Sequence, residues 1–512
     1  MIFTGDERES YENQLMRGNE GIYWKDMKLQ NAGYTWDYFA PQLLEEEFVD
    51  FADGTLLPEG PGYQALILYQ DMLPVKTAEK ILQMAKKGLP VLFVNGVNET
   101  IRPMGVTKTH EKAAAITPFH DGCDSRLEQI VEEMKRLPNV KEVDSQAETY
   151  DALQKIGILP RTEFAESNQH ILTHVQEDEG RIYIFTYNMQ YTEKEAFSFS
   201  MKVQGTGKVY KVDCWNAKAE EIGNYRAEDG RTVLDITLAP GGACMYVIDQ
   251  NDKAEIHAVS TNVDKLIKEE NVFRAIVTQS GEYEIVFSDG RVSRLSARVP
   301  EDIELPVWDL KVEDWNEGEK KEIIEDRGLG IVTKEVYYET KKSLIEVGET
   351  ELKPWKDIES IGQNVSGVGF YTTTAVLPND WKKENGAILK IENVNKHTIA
   401  VYVNGEKADV VDFDALEVDI SSLLHAGENT VKVEVTTSLN NRLLARGYYE
   451  KGKEFSMMLA GNANNANVGM DGEEGISGAD MAPLFDIHAE VQDYGMVGSA
   501  KLVTYTAIET KL

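Results

Sequence analysis

The sequence predicts a multidomain protein, an N-terminal α/β domain followed by all-β sandwich domains. Three observations predict it. Short apolar runs of buried-strand type flank a helix-period stretch within the first 160 residues. After Pro160 the hydrophobic period changes from 3.6 to 2. The 512 residues also allow about three domains, at roughly 150 residues each.

The first element is "YQALILYQ" (Tyr63 to Gln70) and the next strand is "PVLFVNG" (Pro90 to Gly96). Between them Ala78, Ile81, Leu82 and Ala85 recur at helical spacing, and Gly88 supplies the stop. A strand, a helix and a strand in that order imply a parallel crossover. "SRLEQIVEEMKRL" predicts a second helix with Leu127, Ile130, Val131 and Met134 on one face. Ser125 with Glu128, and Ser145 with Glu148, have the spacing of capping boxes. A flavodoxin- or amidotransferase-like domain over residues 1–160 is the expectation.

Residues 161–300 read as a β-sandwich region. "RIYIFTYN", "FSFSMKV", "KVYKVDCW", "TVLDITLA" and "CMYVID" are successive strands broken by Gly, Asn and Asp. "FRAIVTQSGEYEIVFSDGRV" predicts two further hairpins, the second turning at Asp289-Gly290. Residues 301–512 form the third expected domain, with strands in "LPVWDLKVEDW", "GFYTTTAVLP", "AILKIENV", "TIAVYVNG", "LEVDIS" and "TVKVEVTT". Val431, Val433 and Val435 alternate with Lys432 and Glu434, which sets the buried face. Asn404-Gly405 is a type I′ hairpin signal. Residues 452–485 are poor in apolar side chains and read as a long loop.

The charge excludes some partners. With 53 basic against 87 acidic residues, the formal net charge is -34. Nucleic acid and anionic membranes attract proteins through Lys/Arg clusters and would be repelled here. No apolar stretch approaches the ~18–20 residues a membrane span requires. Three scattered cysteines make neither a disulfide framework nor a zinc site. The N-terminus carries no basic region followed by an apolar run, so a cytoplasmic location is expected, or an extracellular one if this chain is a fragment.

Catalytic motifs fail on inspection. "GTGK" at Gly205 lacks the earlier glycine of a phosphate loop, because Lys202 stands there, and Val209 follows its lysine. His110-Glu111 begins like a zinc-protease helix, but the second histidine position holds Ala114. No serine nucleophile elbow occurs, and the turn after "PVLFV" offers Asn95-Gly96 where an amidotransferase nucleophile would be a cysteine. His174 on a strand reads as a core histidine. Asp471, Glu473 and Glu474 supply oxygen ligands that could hold calcium, without the spacing of an EF-hand.

Sugars stack on flat aromatic rings while polar neighbours bond their hydroxyls. Trp308 and Trp355 read as core. Trp381, in "PNDWKKENG", reads as an exposed loop residue. Asn440, Asn441 and Arg442 follow the last clear strand and could line a loop-end site. These four are the candidate carbohydrate-binding residues.

"SGVGFYTTTAVLP", "VYVNGEKA", "VDISSLLHAGENTVKVEV" and "TTSLNNRL", followed by "DYGMVGSAKLV", resemble the galactose-binding-like jelly-roll domain of β-galactosidase- and rhamnosidase-type glycoside hydrolases. "YWKDMKLQNAGYTWDYFAPQLL", "GYQALILYQDMLPVKTAEKILQMAKKGLPVLFVNGV", "LQKIGILP", "HVQEDEGRIYIFTYN" and "YKVDCWNAKAEEIG" are similar to the post-barrel half of glycoside hydrolase family 106. This chain has His174-Val175 where that family tends to have His-Arg. The resemblance implies an α-L-rhamnosidase-like hydrolase whose catalytic (β/α)-barrel lies upstream, with calcium assistance and inversion on two carboxylates. A barrel takes ~250 residues, and nothing here has eight successive βα units, so no family catalytic residue maps onto this chain.

Two readings follow. The chain is the accessory, C-terminal portion of such a hydrolase, inactive alone and partnered by a separate or missing catalytic barrel. Alternatively, it is a stand-alone, non-catalytic carbohydrate-binding or scaffold protein. A carbohydrate ligand is expected in either case, with no cofactor beyond the calcium the resemblance implies. A large exposed apolar patch on the first domain would point to a missing partner.

Overall fold

The computed structural model describes residues 26–511 apart from 39, 102–105, 191–192, 194, 254–255, 271, 329–331, 396, 412–415 and 450–489. Strands dominate, in several sandwich-like sheets. Described residues of Met1–Asp213 and Ala219–Val259 form one compact unit; those of Cys214–Lys218, Ser260–Asn467 and Ser477–Leu512 form the other. Apart from Cys214–Lys218, the second unit takes up the chain from Ser260. Among the described residues no helix is long and apolar enough to cross a membrane.

The first unit opens with a three-stranded parallel sheet. β1 (Leu66–Leu68), β2 (Val91–Val94) and β3 (Val140–Val143) pair in that order. All four residues of β2 are buried, as expected of a central parallel strand. Helix α1 (Val75–Lys86) makes the crossover from β1 to β2 and buries Ala78, Ile81, Leu82 and Ala85. Helix α2 (Asp124–Lys135) buries Leu127, Ile130, Val131 and Met134, the predicted face.

The capping boxes do not form as predicted. Ser125 lies inside α2, and the carboxylate of Asp124 instead accepts from the backbone N–H of Thr117 at 2.7 Å. Ser145 precedes its helical turn, but its hydroxyl donates to the Glu148 side chain at 3.0 Å and caps no backbone group.

An antiparallel sandwich completes this unit. Its five-stranded sheet runs Lys218–Glu221, Lys208–Asp213, Ala243–Asp249, β5 (Arg181–Asn188), β4 (Ile171–Asp178). A four-stranded sheet runs Arg226–Glu228, Arg231–Leu238, Phe197–Gln204, Thr162–Phe164. Val175, Ile182, Ile184, Met201, Leu234 and Ile248 are buried in the core they share.

In the second unit two six-stranded sheets enclose one core. β6 (Val272–Val277) was expected to pair forward in a hairpin. It pairs instead with Lys265–Glu269 and with the C-terminal strand β12 (Val497–Lys511). The predicted hairpin at Asp289-Gly290 does form, joining Gly281–Phe287 to Val292–Ala297. The facing sheet carries β7 (Val307–Asp326), β8 (Val332–Glu351), β9 (Gly367–Leu377), β10 (Thr398–Val403) and β11 (Gly427–Thr436). Val431, Val433 and Val435 are fully buried, as their alternation requires. Asn404 and Gly405 have φ of 53° and 86°, which the type I′ turn demands.

β7 and β8 are each 20 residues long and pair along nearly their whole length. β9 accompanies β7 only from Asp309 to Asp314. Beyond that point the pair continues as a two-stranded ribbon, with Ile323, Ile324, Val332, Tyr337 and Tyr338 exposed.

Candidate functional site

The predicted carbohydrate residues all fall in the second unit, and the fold does not bring them together. Trp381 follows the end of β9, where Leu377 pairs with Gly427; Asn440 follows the end of β11, where Thr436 pairs with Val368. The ladder between those ends has ten pairs, nine steps apart, about 30 Å at ~3.4 Å per residue.

Their surroundings are structural. Trp381 is partly buried and packs against the sandwich core, so it is not the exposed loop ring expected. Asn441 is 3% exposed; its amide donates to the Gln492 carbonyl at 2.9 Å and accepts from the Gln492 N–H at 2.8 Å. Its own N–H donates to the hydroxyl of Tyr494 at 3.0 Å. Asn440 donates to the Glu490 carbonyl at 2.8 Å. Arg442 forms an ion pair with Asp314 on β7. The helical turn Asn440–Ala445 therefore pins residues 490–494, whose Tyr494 stacks edge-on against Trp355 and His397.

The first unit contains a cleft of about 1370 Å³ that none of those predictions included. Its walls are the segment Tyr34–Tyr38, the loop from Glu59 to Gln64, strand β1 with the residues after it, and β4. β1 and β4 are each the edge strand of their sheet. On β4, His174 and Gln176 face outward. Gln176 pairs with Tyr183 on β5, so those side chains share the outer face. His174 is exposed, which corrects its reading as a core residue.

Several polar groups at the cleft are held in place. The Tyr34 hydroxyl donates to the Ile158 carbonyl at 2.7 Å and accepts from the Gln154 amide at 3.0 Å. Burial pushes its pKa up to about 12, against the Gln154 hydrogen bond, so the phenol stays neutral. Tyr63 donates to Asp37 at 2.7 Å, and burial followed by that carboxylate raises its pKa well above the usual phenol range. Arg161 pairs with Glu177 at 2.7 Å and reaches the Pro61 carbonyl at 3.4 Å. Gln250 donates to the other oxygen of Glu177 at 3.0 Å.

Six aromatic rings line the cleft, from Tyr34, Trp36, Tyr38, Tyr63, Tyr69 and Tyr183. Among the described residues the lining contains no serine, cysteine or lysine. Such an arrangement can stack and exchange hydrogen bonds. The signal for it was in "YTWDY", where a ring recurs at every second residue from Tyr34 to Tyr38.

Among the described residues no group of three or more His, Cys, Asp or Glu side chains is placed to hold a metal ion. The acidic stretch Asp471, Glu473, Glu474 lies outside the described residues.

No family profile matches the chain, and no curated protein matches its sequence. Among solved structures, a rhamnosidase from Novosphingobium sp. PP1Y superposes over 94% of this chain with a TM-score of 0.54 at 16% identity. The chain spans 37% of that protein's length. A β-D-glucuronidase of Dictyoglomus thermophilum covers 28% of this chain and 20% of its own, at TM-score 0.17 and 20% identity. An α-L-rhamnosidase of Streptomyces avermitilis complexed with L-rhamnose covers 52% and 22%, at TM-score 0.12 and 13% identity. Only the first likeness is close enough to argue from, and it is a likeness of fold. The structural neighbours are thus rhamnosidases and other glycosidases.

Proposed function

We propose that this chain is the accessory, C-terminal portion of an α-L-rhamnosidase-like glycoside hydrolase acting on plant or microbial glycans. Its catalytic barrel lies outside these residues. The observation that carries this reading is the fold likeness to one rhamnosidase along 94% of the chain. The resemblance of the residues quoted above to glycoside hydrolase family 106 selects the rhamnosidase class within this reading. In this reading the parallel three-stranded region is a shortened flavodoxin- or amidotransferase-like domain, and residues 301–512 are a galactose-binding-like jelly roll.

A second feature favours an accessory role. Leu43 and Phe48 of the first unit, which do not line the cleft, are exposed by 51% and 73%. Exposed apolar side chains of that size are candidates for cover by a partner. The stand-alone carbohydrate-binding reading is favoured instead by the aromatic cleft, which needs no barrel to take a sugar.

The test is an assay of the purified chain on an aryl α-L-rhamnoside, alone and with a barrel encoded upstream or in a neighbouring gene. No turnover alone, and a stable complex with the barrel, is the expected result. Turnover by the chain itself, abolished by one point mutation within these residues, overturns the proposal.

A further inference from the structure

We infer that the cleft of the first unit is a binding site for a neutral oligosaccharide chain, separate from the predicted residues of the C-terminal sandwich. The inference deepens the carbohydrate reading above and rests on it for the class of ligand. It does not rest on the hydrolase assignment.

Three properties of the cleft select this ligand. The first is surface chemistry. Trp36 and Tyr38 are 36% and 48% exposed at the cleft although they belong to the two most hydrophobic-bodied polar residue types. An aromatic plate that remains half-open matches the C–H face of a pyranose, while amides beside it bond the hydroxyls. Gln42, Gln64, Gln70 and Gln176 place side-chain amides on four segments of the lining, those of Gln64 and Gln176 also bonding Gln204 and His174 at 3.3 Å.

The second property is size. Ligand pockets for single small molecules span roughly 300–1,000 Å³, and this cleft, at about 1370 Å³, exceeds that range. It suits several linked sugar rings better than one. Its walls include two edge strands, β1 and β4.

Charge is the third. Asp37, Glu59, Glu177 and Asp178 line the cleft against a single arginine, Arg161. That guanidinium is already paired with Glu177. Among the described residues of the lining the basic side chains are Arg161 and His174, so a uronate would meet four carboxylates against these two and acidic glycans are disfavoured. The formal charge of the whole chain, -34, adds to this repulsion at long range.

The experiment is calorimetric titration of the full chain with neutral hexasaccharides (rhamnose-containing, gluco- and manno-configured) and with an oligogalacturonate of equal length. At least one neutral chain should bind, and the oligogalacturonate should bind at least tenfold more weakly. Trp36→Ala and Tyr38→Ala should each weaken the neutral ligand about tenfold, with unchanged melting temperature. Tyr63→Phe, which deletes one hydroxyl and keeps the ring, serves as a second variant should either truncation unfold the unit. Trp381→Ala should leave affinity unchanged.

Absence of binding by every neutral chain overturns the site. So does tighter binding of the uronate. Loss of neutral binding in Trp381→Ala, with Trp36→Ala intact, also overturns it and moves the sugar site to the C-terminal sandwich. The rhamnoside assay with the barrel reads the hydrolase assignment separately, so failure of one is distinguishable from failure of the other.

Discussion

Arg442 was a candidate for sugar contact, and the structure gives it a different task with a measurable size. Its guanidinium pairs with Asp314, and only 18% and 11% of the two side chains are exposed. Removing one partner of a fully buried pair costs about 3–5 kcal/mol, because the other charge stays buried without compensation. The remaining exposure lets water reach both groups, so Arg442→Ala and Asp314→Ala should each cost about 2–3 kcal/mol. The double variant leaves no orphan charge and should cost about 1–2 kcal/mol less than the sum of the singles. A transition of this size moves by roughly 2–4 °C per kcal/mol, so each single variant should lower the melting of the second unit by about 5–10 °C. Differential scanning calorimetry of the full chain reads this, and sugar titration on the same samples reads binding. If Arg442→Ala melts like the wild type yet loses sugar affinity, the structural assignment fails and a loop-end site is restored. Strict additivity of the two substitutions would refute the pair itself.

Other consequences concern the second unit and can be checked on the same samples. His397 is buried, its Nδ1 donating to the Val394 carbonyl at 2.9 Å, and desolvation lowers its pKa from the usual 6.5. The unfolded chain therefore takes up the proton first, so stability is full above pH 6.5 and falls as pH drops below it, by at most about 1.4 kcal/mol per pH unit. Denaturant melts from pH 7.5 to 5 should show a loss in the wild type that His397→Asn reduces; an identical pH dependence in the variant rejects this. Gly405→Val places a β-branched residue at φ 86° and should destabilise the unit by about 1–2 kcal/mol, read by urea midpoint. Replacing residues 317–340 by a two-residue turn should leave melting unchanged, since β9 leaves β7 at Asp314. A large drop in melting temperature would show that the ribbon stabilises the sandwich.

Local structure was legible wherever one side-chain period dominated. Val431, Val433 and Val435 could face only the core, and Asn404-Gly405 could make only a tight hairpin, because both depend on residues next to each other in sequence. The α1 and α2 faces were legible for the same reason. The 20-residue ribbon strands were not. Residues 316–341 mix lysine and glutamate without a buried face, and hydrophobic period is silent where neither side is covered.

The site followed the same division. The sequence determined that rings recur through "YTWDY", that the chain is strongly acidic, and that the standard nucleophile motifs are missing. Only the tertiary structure decided which polar groups meet. It set Trp381 and Arg442 at opposite ends of the β9–β11 ladder and turned Asn441 inward onto Gln492. It also ran β12 from the C-terminus between β6 and Asn385–Asn393, a pairing more than 200 residues distant from β6. Local sequence carries no record of such partners, because the energy that selects them comes from burying faces contributed by separate segments, and those faces exist only once the sheets have closed.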